Sequence, residues 1–370
     1  MRNTFRYDTI FMYGSLQSVG HTMEYFVRHT RKLVVFIVMP RVNGTENLVR
    51  VYHEGTMISE RHVPSSRNIL LYYLRWWYHH NLFLLTFFHR RERVLVFTGH
   101  PIALFGMSII KLIRRVTYAY WIGDYYPPVN VSLILFEKLK KYYHDRVSCT
   151  FYLSDLINEK LNGSVRKTHE HRTVMWGIEM PKKRATLPRI RMTKLLFVGV
   201  VRPGQGLEEV FEYLSRDKTV CLSVIGVCES TYYALLQRLI KKLSIQDQIF
   251  FPNTFYSDTK LRTIAKDHHI GIALYDESPK SASFYTDPGK VKTYVEMGLP
   301  VVMTKTSAIA PYVRRFGCGE TVSSTAELPR VLDTMKRQYE RYQDGLVAFS
   351  RYFAYESYYR NAFVAFEEVS

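Results

Sequence analysis

Short continuous apolar runs recur along this chain, and between them apolar residues return at three- and four-residue spacing, the pattern of buried strands alternating with helices. In the first half Leu33–Met39 (LVVFIVM), Val94–Phe97, Thr117–Ile122 and Val147–Tyr152 predict strands buried on both faces, and Thr173–Trp176 a last short one. Asp8–Tyr13 predicts an opening strand. It runs into a loop bracketed by Gly14 and Gly20 and then a helical pattern around Met23–Val27, a strand, glycine loop and helix unit. Leu48–His53 and Thr56–Ile58 predict further short strands, and a parallel sheet covered by helices is the arrangement expected for the whole set. The second half repeats the scheme with strands at Leu195–Val201, Val220–Gly226, Gln248–Pro252, His269–Tyr275 and Leu299–Met303. After the first of these a turn, Pro203–Gly206, precedes Leu207, Val210, Phe211 and Leu214 at helical spacing.

The stretch DPGKVKTYVEMGLPVV, from Asp287, organises that second half. Asp287 is suited to cap a helix, Pro288 to its first position, and Gly298 to the left-handed turn that closes it before the next strand. The polar loop Asp276–Thr286 delivers the chain to this helix N-terminus, whose amides and dipole suit an anion, with Lys290 and Lys292 adding charge.

Pro181–Lys194 is basic, carries two prolines and lacks periodicity, so it reads as a linker between two domains, 1–185 and 194–347. The helical, aromatic tail includes a last helix, about 348–370, expected to pack back on the first domain. Length and a 47% hydrophobic content allow two cores. Four cysteines without a CxxC pair read as core thiols in a reducing compartment, and the N-terminal residues lack the apolar region of a signal peptide, so a cytoplasmic protein is expected.

Charge changes the picture. An excess of 51 Lys and Arg over 33 Asp and Glu gives +18, which favours an anionic partner: phosphorylated ligand, anionic lipid or nucleic acid. No RRM, KH, zinc or helix-turn-helix signature supports the last. Ile69–Phe88 is rich in apolar residues but interrupted by Arg75, His79, His80 and Asn81. It is expected as a core helix with a basic rim, the alternative being a helix lying in a membrane interface. His79 and His80 are adjacent, so a helix points them apart and no metal site is expected there. Two loops sit at strand C-terminal ends, where α/β folds bind ligands: Gly99–Pro101 with His100, and Gly123–Tyr126 with Asp124. Asp124 serves equally as a cap for the helix after Pro128.

Three stretches, FVGVVRPGQGLEEVFEYL from Phe197, LSVIGVCES from Leu222 and DPGKVKTYVEMGLPVV from Asp287, in this order and spacing, resemble the retaining glycosyltransferase family four. GSLQSVG at Gly14, YWIGD ending at Asp124 and WGIEMP at Trp176 match more loosely. The resemblance implies an α/β GT-B architecture with two Rossmann-like domains facing a central cleft, and a nucleotide sugar held by the second domain without a metal or other cofactor. No DxD motif is present.

By the same resemblance the donor lies between the Arg202–Gly206 loop and the helix near Pro288, touched by Gly14, Gly199, Arg202, Gly204, Gln205, Phe255, Tyr285, Thr286, Asp287, Lys290 and Thr293. Where the family carries an arginine after the strand and a lysine before the second loop glycine, this chain has Val200 and Gln205, and Arg202 and Lys290 stand in for them. The family's paired glutamates fall at Tyr285 and Thr293. Asp124, Arg202 and Lys290 are then the candidate catalytic residues, with His100 and Asp124 on the acceptor side. The implied activity is transfer of a sugar to a glycan or lipid-linked acceptor of the cell envelope. The alternatives are an inactive GT-B scaffold that partners another transferase and, behind it, a nucleic-acid binder. Arginines around the Trp76–Trp77 helix, including Arg90 and Arg91, suggest peripheral attachment to the anionic inner face of a membrane.

Overall fold

The computed structural model describes residues 5–14, 20–39, 46–127, 130–181 and 192–366. Most of the expected linker, and Ser15–Val19 of the first glycine loop, lie outside the described residues. The chain forms two compact units, Met1–Gly177 with Tyr355–Ser370, and Ile178–Ala354.

The first unit runs β1 (Thr9–Gly14), α1 (Thr22–His29), β2 (Lys32–Ile37), β3 (Glu46–His53), β4 (Thr56–Pro64), α2 (Ile69–Thr86), β5 (Val94–Thr98), α3 (Met107–Ile113), β6 (Val116–Ile122), α4 (Val131–Tyr143), β7 (Cys149–Tyr152), α5 (Asp155–Asn162) and β8 (His171–Thr173). Its eight strands are ordered β4-β3-β2-β1-β5-β6-β7-β8. The apolar runs at β2 and β5 are buried on both faces, as their continuity predicts. The segment after β2 departs from the expected parallel scheme: β3 pairs antiparallel with β2 and β4 antiparallel with β3. Glu54 and Gly55, both at positive φ, make the tight turn that joins β3 to β4, and so short a connection forces the antiparallel sense.

The second unit runs β9 (Thr193–Val198), α6 (Leu207–Arg216), β10 (Val220–Ile225), α7 (Ser230–Lys242), β11 (Ile249–Phe250), α8 (Asp258–Ala265), β12 (Ile270–Ala273), α9 (Gly289–Glu296), β13 (Val301–Thr304), α10 (Ala310–Phe316), β14 (Gly319–Val322), α11 (Leu328–Arg337) and α12 (Tyr339–Phe353). The sheet order β11-β10-β9-β12-β13-β14 is parallel throughout, a doubly wound arrangement that reverses between β9 and β12. Ligands of such sheets bind beyond the strand C-termini at that reversal.

One side chain ties the reversal together. Tyr294 of α9 donates its hydroxyl to the Ile272 carbonyl and accepts from the Val198 amide, both at 2.9 Å, so it spans the ends of β9 and β12. Gly271 makes room for it, since a Cβ there would fall 2.3 Å from the ring. Tyr294→Phe strands an amide and a carbonyl in the core and is expected to cost about 1–3 kcal/mol, read as a lower urea midpoint at unchanged m-value.

The helical tail divides at Ala354, and α13 (Tyr355–Phe363) packs in the first unit. There the Tyr359 hydroxyl accepts from the Gly177 amide at 2.7 Å and donates to the Gly20 carbonyl, while Phe363 stacks on Phe26. No described helix is long and apolar enough to cross a membrane.

Candidate functional site

At the sheet reversal of the second unit, β9 ends in Gly199 at φ +113, and the loop continues through Gly204 and Gly206, also at positive φ, into α6. The Gln205 carboxamide accepts from the Arg202 amide at 2.8 Å and closes the loop on itself, leaving the Arg202 side chain exposed. Gly204 lies against Asp276, just past β12.

Lys290, in the first turn of α9, reaches over Gly199. Its ammonium stands 3.8 Å from the centre of the Phe197 ring and 5.4 Å from that of Tyr275. The Nζ is buried with no hydrogen-bond partner among the described residues, and the same holds for the Tyr275 hydroxyl and, beyond β13, for Thr306 Oγ1 and Ser307 Oγ. Burial first, and the Arg202 guanidinium second, pull the Lys290 pKa down to about 7. Two aromatic faces hold this ammonium in place, and among the described residues no anion pairs with it. A buried cation without a hydrogen-bond partner is costly for folding alone and suits a bound anion.

An anion seated there favours the charged amine and so raises the Lys290 pKa in the complex. The bound state therefore holds more protons than the empty one above pH 7, and affinity is lost as pH rises. Inorganic pyrophosphate is expected to bind more weakly by up to about tenfold per pH unit from pH 7 upward, until the raised pKa of the complex is reached. Isothermal titration across that range reads it.

Gly199, Arg202, Gly204, Gln205 and Lys290 thus stand together at the C-terminal end of β9. Lys292 and Asp287 do not join them as an anion seat and a cap. The cap position falls to Pro288, which has no side-chain cap bond, and the Asp287 carboxylate instead pairs with Lys292 at 3.6 Å, both side chains buried. Lys292 lies 3.3 Å over the Phe353 ring. Burial pulls its pKa down to about 8 against the opposing pull of Asp287. Tyr285 is buried, its hydroxyl donating to the Pro279 carbonyl at 3.1 Å, and Thr293 bonds inside its own helix to the Gly289 carbonyl. Thr286 is half-buried before α9, and Phe255 is exposed after β11. The polar loop ahead of α9 was legible in the sequence; the aromatic cage of Phe197 and Tyr275 was not, because both read simply as buried strand residues.

Gly14, His100 and Asp124 belong to the first unit. His100 caps the Pro101–Leu104 turn, its Nδ1 accepting from the Ile102 amide at 3.2 Å, and its ring packs against Trp76 and Phe136. Burial, and then Lys140, hold its pKa near 3, so the ring is neutral with Nε2 as its donor. Asp124 does not cap α4; Asn130 does, accepting from the Leu133 amide. The exposed Asp124 carboxylate accepts from the Tyr126 hydroxyl at 3.2 Å, and Lys140, paired with Glu137 at 2.7 Å, donates to the Asp124 carbonyl. The two loops stand side by side because β5 and β6 are adjacent and parallel.

Helix α2 is apolar on both faces. Tyr72, Trp76, His80, Phe83 and Leu84 are buried, yet Ile69, Leu70, Leu74 and Tyr78 are exposed, so it is more than the expected core helix with a basic rim. Of the expected rim, Arg75 donates to the Ser65 carbonyl, Arg114 to the Leu85 carbonyl, and Arg93 lies beside Asp8, whereas Arg90, Arg91 and Arg115 are exposed. No group of metal-ligating side chains occurs among the described residues.

Residues 238–366, about a third of the chain, match the family described as Glucosyltransferase 3-like, C-terminal domain. No curated protein sequence matches the chain. Among solved structures, sucrose-phosphate synthase from Thermosynechococcus elongatus is similar at TM-score 0.70 with 12% identity, covering 97% of this chain and 100% of that one. Anabaena HepE in complex with UDP follows at 0.62 and 13% identity, covering 97% and 98%. WaaG, a glycosyltransferase involved in lipopolysaccharide biosynthesis, gives 0.59 and 14% identity, covering 96% and 98%. These neighbours are GT-B glycosyltransferases, and this chain has their fold.

Proposed function

We propose that this protein is a retaining, metal-independent glycosyltransferase that moves a sugar from a nucleotide-diphosphate donor to a hydroxyl acceptor on a lipid-linked or cell-envelope glycan. The observation that carries the reading is the caged, unpartnered Lys290 ammonium beside Arg202 at the sheet reversal. A diphosphate fits that place: Lys290 and Arg202 meet its charge, and the amides of the Gly204–Gly206 loop supply donors. As the sugar–oxygen bond breaks, these groups neutralise the departing diphosphate, and its oxygen takes the proton of the attacking hydroxyl, so the step needs no side-chain base. The UDP complex of HepE supports a nucleoside diphosphate as the first probe. Titration with a panel of nucleoside diphosphates is expected to find one that binds and whose binding Arg202→Ala weakens; binding of none removes the donor site.

A second reading keeps the fold and the nucleotide but not the reaction. It is favoured by Tyr285 and Thr293, which are engaged in their own loop and helix where the resemblance places glutamates. Nucleotide binding without turnover of any nucleotide sugar in extract would select this scaffold role.

The acceptor side meets an anionic membrane in this proposal. Exposed apolar residues of α2 and α3, with Arg90, Arg91 and Arg115 beside them, support peripheral attachment to a cytoplasmic leaflet, each cation worth about 1 kcal/mol at such a surface. Sedimentation with anionic but not zwitterionic vesicles is expected, reduced by salt and by Arg90→Glu with Arg91→Glu. Equal recovery in both supernatants at low salt would leave a soluble acceptor.

A further inference from the structure

A pocket of about 570 Å³ opens in the first unit between α2, the Pro101–Leu104 turn and α4. That is the size of a small-molecule site. Its walls are apolar, chiefly Ile102, Phe136 and Leu139, and its lip is formed by Ile69, Phe105 and Leu135, each more than half exposed. Large apolar side chains ringing an open cavity are uncommon on a soluble surface unless something apolar enters it. Further exposed apolar residues stand on α2, α4 and the nearby α3: Leu70, Val131 and Leu112, the last 86% exposed. At its polar end the pocket is lined by His100 and Tyr126, and Tyr126 donates to the Asp124 carboxylate. The cavity therefore joins an apolar face to the ligand-binding ends of β5 and β6.

We propose that this pocket takes the hydrocarbon chain of a lipid-borne, phosphate-bearing acceptor, whose polar head then lies at His100 and Asp124. The assignment of that lipid as acceptor rests on the transfer reading above; the pocket itself does not. His100 lines the pocket and offers its Nε2–H to the head, and the exposed Lys138 and Lys141, on the helix that forms one wall, supply cations for its phosphate. Charge also decides between a lipid and a second copy of the chain. Joining two such faces would bring Lys111, Arg115, Lys138 and Lys141 of one copy against those of another, whereas an anionic leaflet complements them.

The probes are tetradecyl phosphate, decyl phosphate and inorganic phosphate, each titrated below its micelle concentration into the full chain. Burial of a methylene is worth about fourfold in affinity, so tetradecyl phosphate is expected to bind at least roughly tenfold tighter than decyl phosphate. Leu135→Asp places a charge on the exposed lip without opening the core. It is expected to remove the chain-length dependence while leaving nucleoside diphosphate binding unchanged. Leu112→Glu, outside the pocket, is expected to weaken vesicle sedimentation and leave alkyl phosphate binding intact. Equal affinity for all three phosphates overturns the proposal, as does a wild-type dimer in light scattering that Leu135→Asp dissociates. Alkyl phosphate binding by a chain that binds no nucleotide would keep the pocket and sink the transfer reading.

Discussion

Lys290→Ala is expected to lower turnover of the donor found by titration by about a hundred- to a thousandfold, the usual effect of removing one preorganised group that meets transition-state charge. Nucleoside diphosphate affinity falls with it, by about tenfold or more, since a charge-assisted bond to phosphate is lost. A companion measurement separates this from a folding defect. The Lys290 ammonium is buried without a hydrogen-bond partner among the described residues, and its pKa is held near 7, below the ordinary lysine value. For a lysine whose folded pKa is depressed, the penalty on folding is fully present below the folded pKa and disappears as pH rises toward the unfolded one. Lys290→Met keeps the apolar stem over Phe197 and removes the charge, so it is expected to raise thermal stability, most below pH 7, while weakening nucleotide binding as much as Lys290→Ala does. Loss of binding together with a lowered melting temperature at pH 6 would instead make Lys290 a structural residue.

The legible parts of this chain are those that depend on one segment at a time. Leu33–Met39 and Val94–Phe97 read as buried strands because continuity of apolar residues is a local property, and Gly298, at φ 71, closes α9 as its position after the helix predicts. The antiparallel β3–β4 pair was missed because neither strand's own residues encode its sense; only the tight Glu54–Gly55 turn does. Helix α2 was read with one face too few, since a helix that is apolar all round shows no period to divide the buried side from the exposed one. The candidate site divides along the same line. Its glycine loop and the lysines of α9 stand in the sequence, but what distinguishes Lys290 from Lys292 is which distant aromatic each meets: Phe197 and Tyr275 for one, Phe353 for the other. Two positions apart on a helix they point to different sides, and only the packed sheet and the distant α12 decide which side an anion can reach.

Asp287 provides the second large effect, because its resemblance-derived place in the donor site and its observed geometry predict different outcomes. Its carboxylate and the Lys292 ammonium are both buried and 3.6 Å apart. Removing one partner of such a pair leaves a charge in a dry core, a loss of about 3–5 kcal/mol, whereas replacing both with neutral groups of similar size is often nearly neutral. Asp287→Ala is therefore expected to lower the melting temperature of the second unit by roughly 6–20 °C, at about 2–4 °C per kcal/mol for a domain of this size. Lys292→Met should do the same in the same direction. The double variant Asp287→Asn with Lys292→Met is expected to regain most of the loss, and the cycle closed with the single Asp287→Asn variant is expected to give a coupling energy of at least about 3 kcal/mol. Nucleoside diphosphate affinity, measured well below the melting transition, is expected to stay within about threefold of wild type in the double variant, because the proposed donor site assigns the anion to Lys290 and Arg202. Additive losses with no recovery would remove the pair as a structural unit. An Asp287→Ala protein that melts like wild type but no longer binds nucleotide would return Asp287 to the donor site where the resemblance first put it.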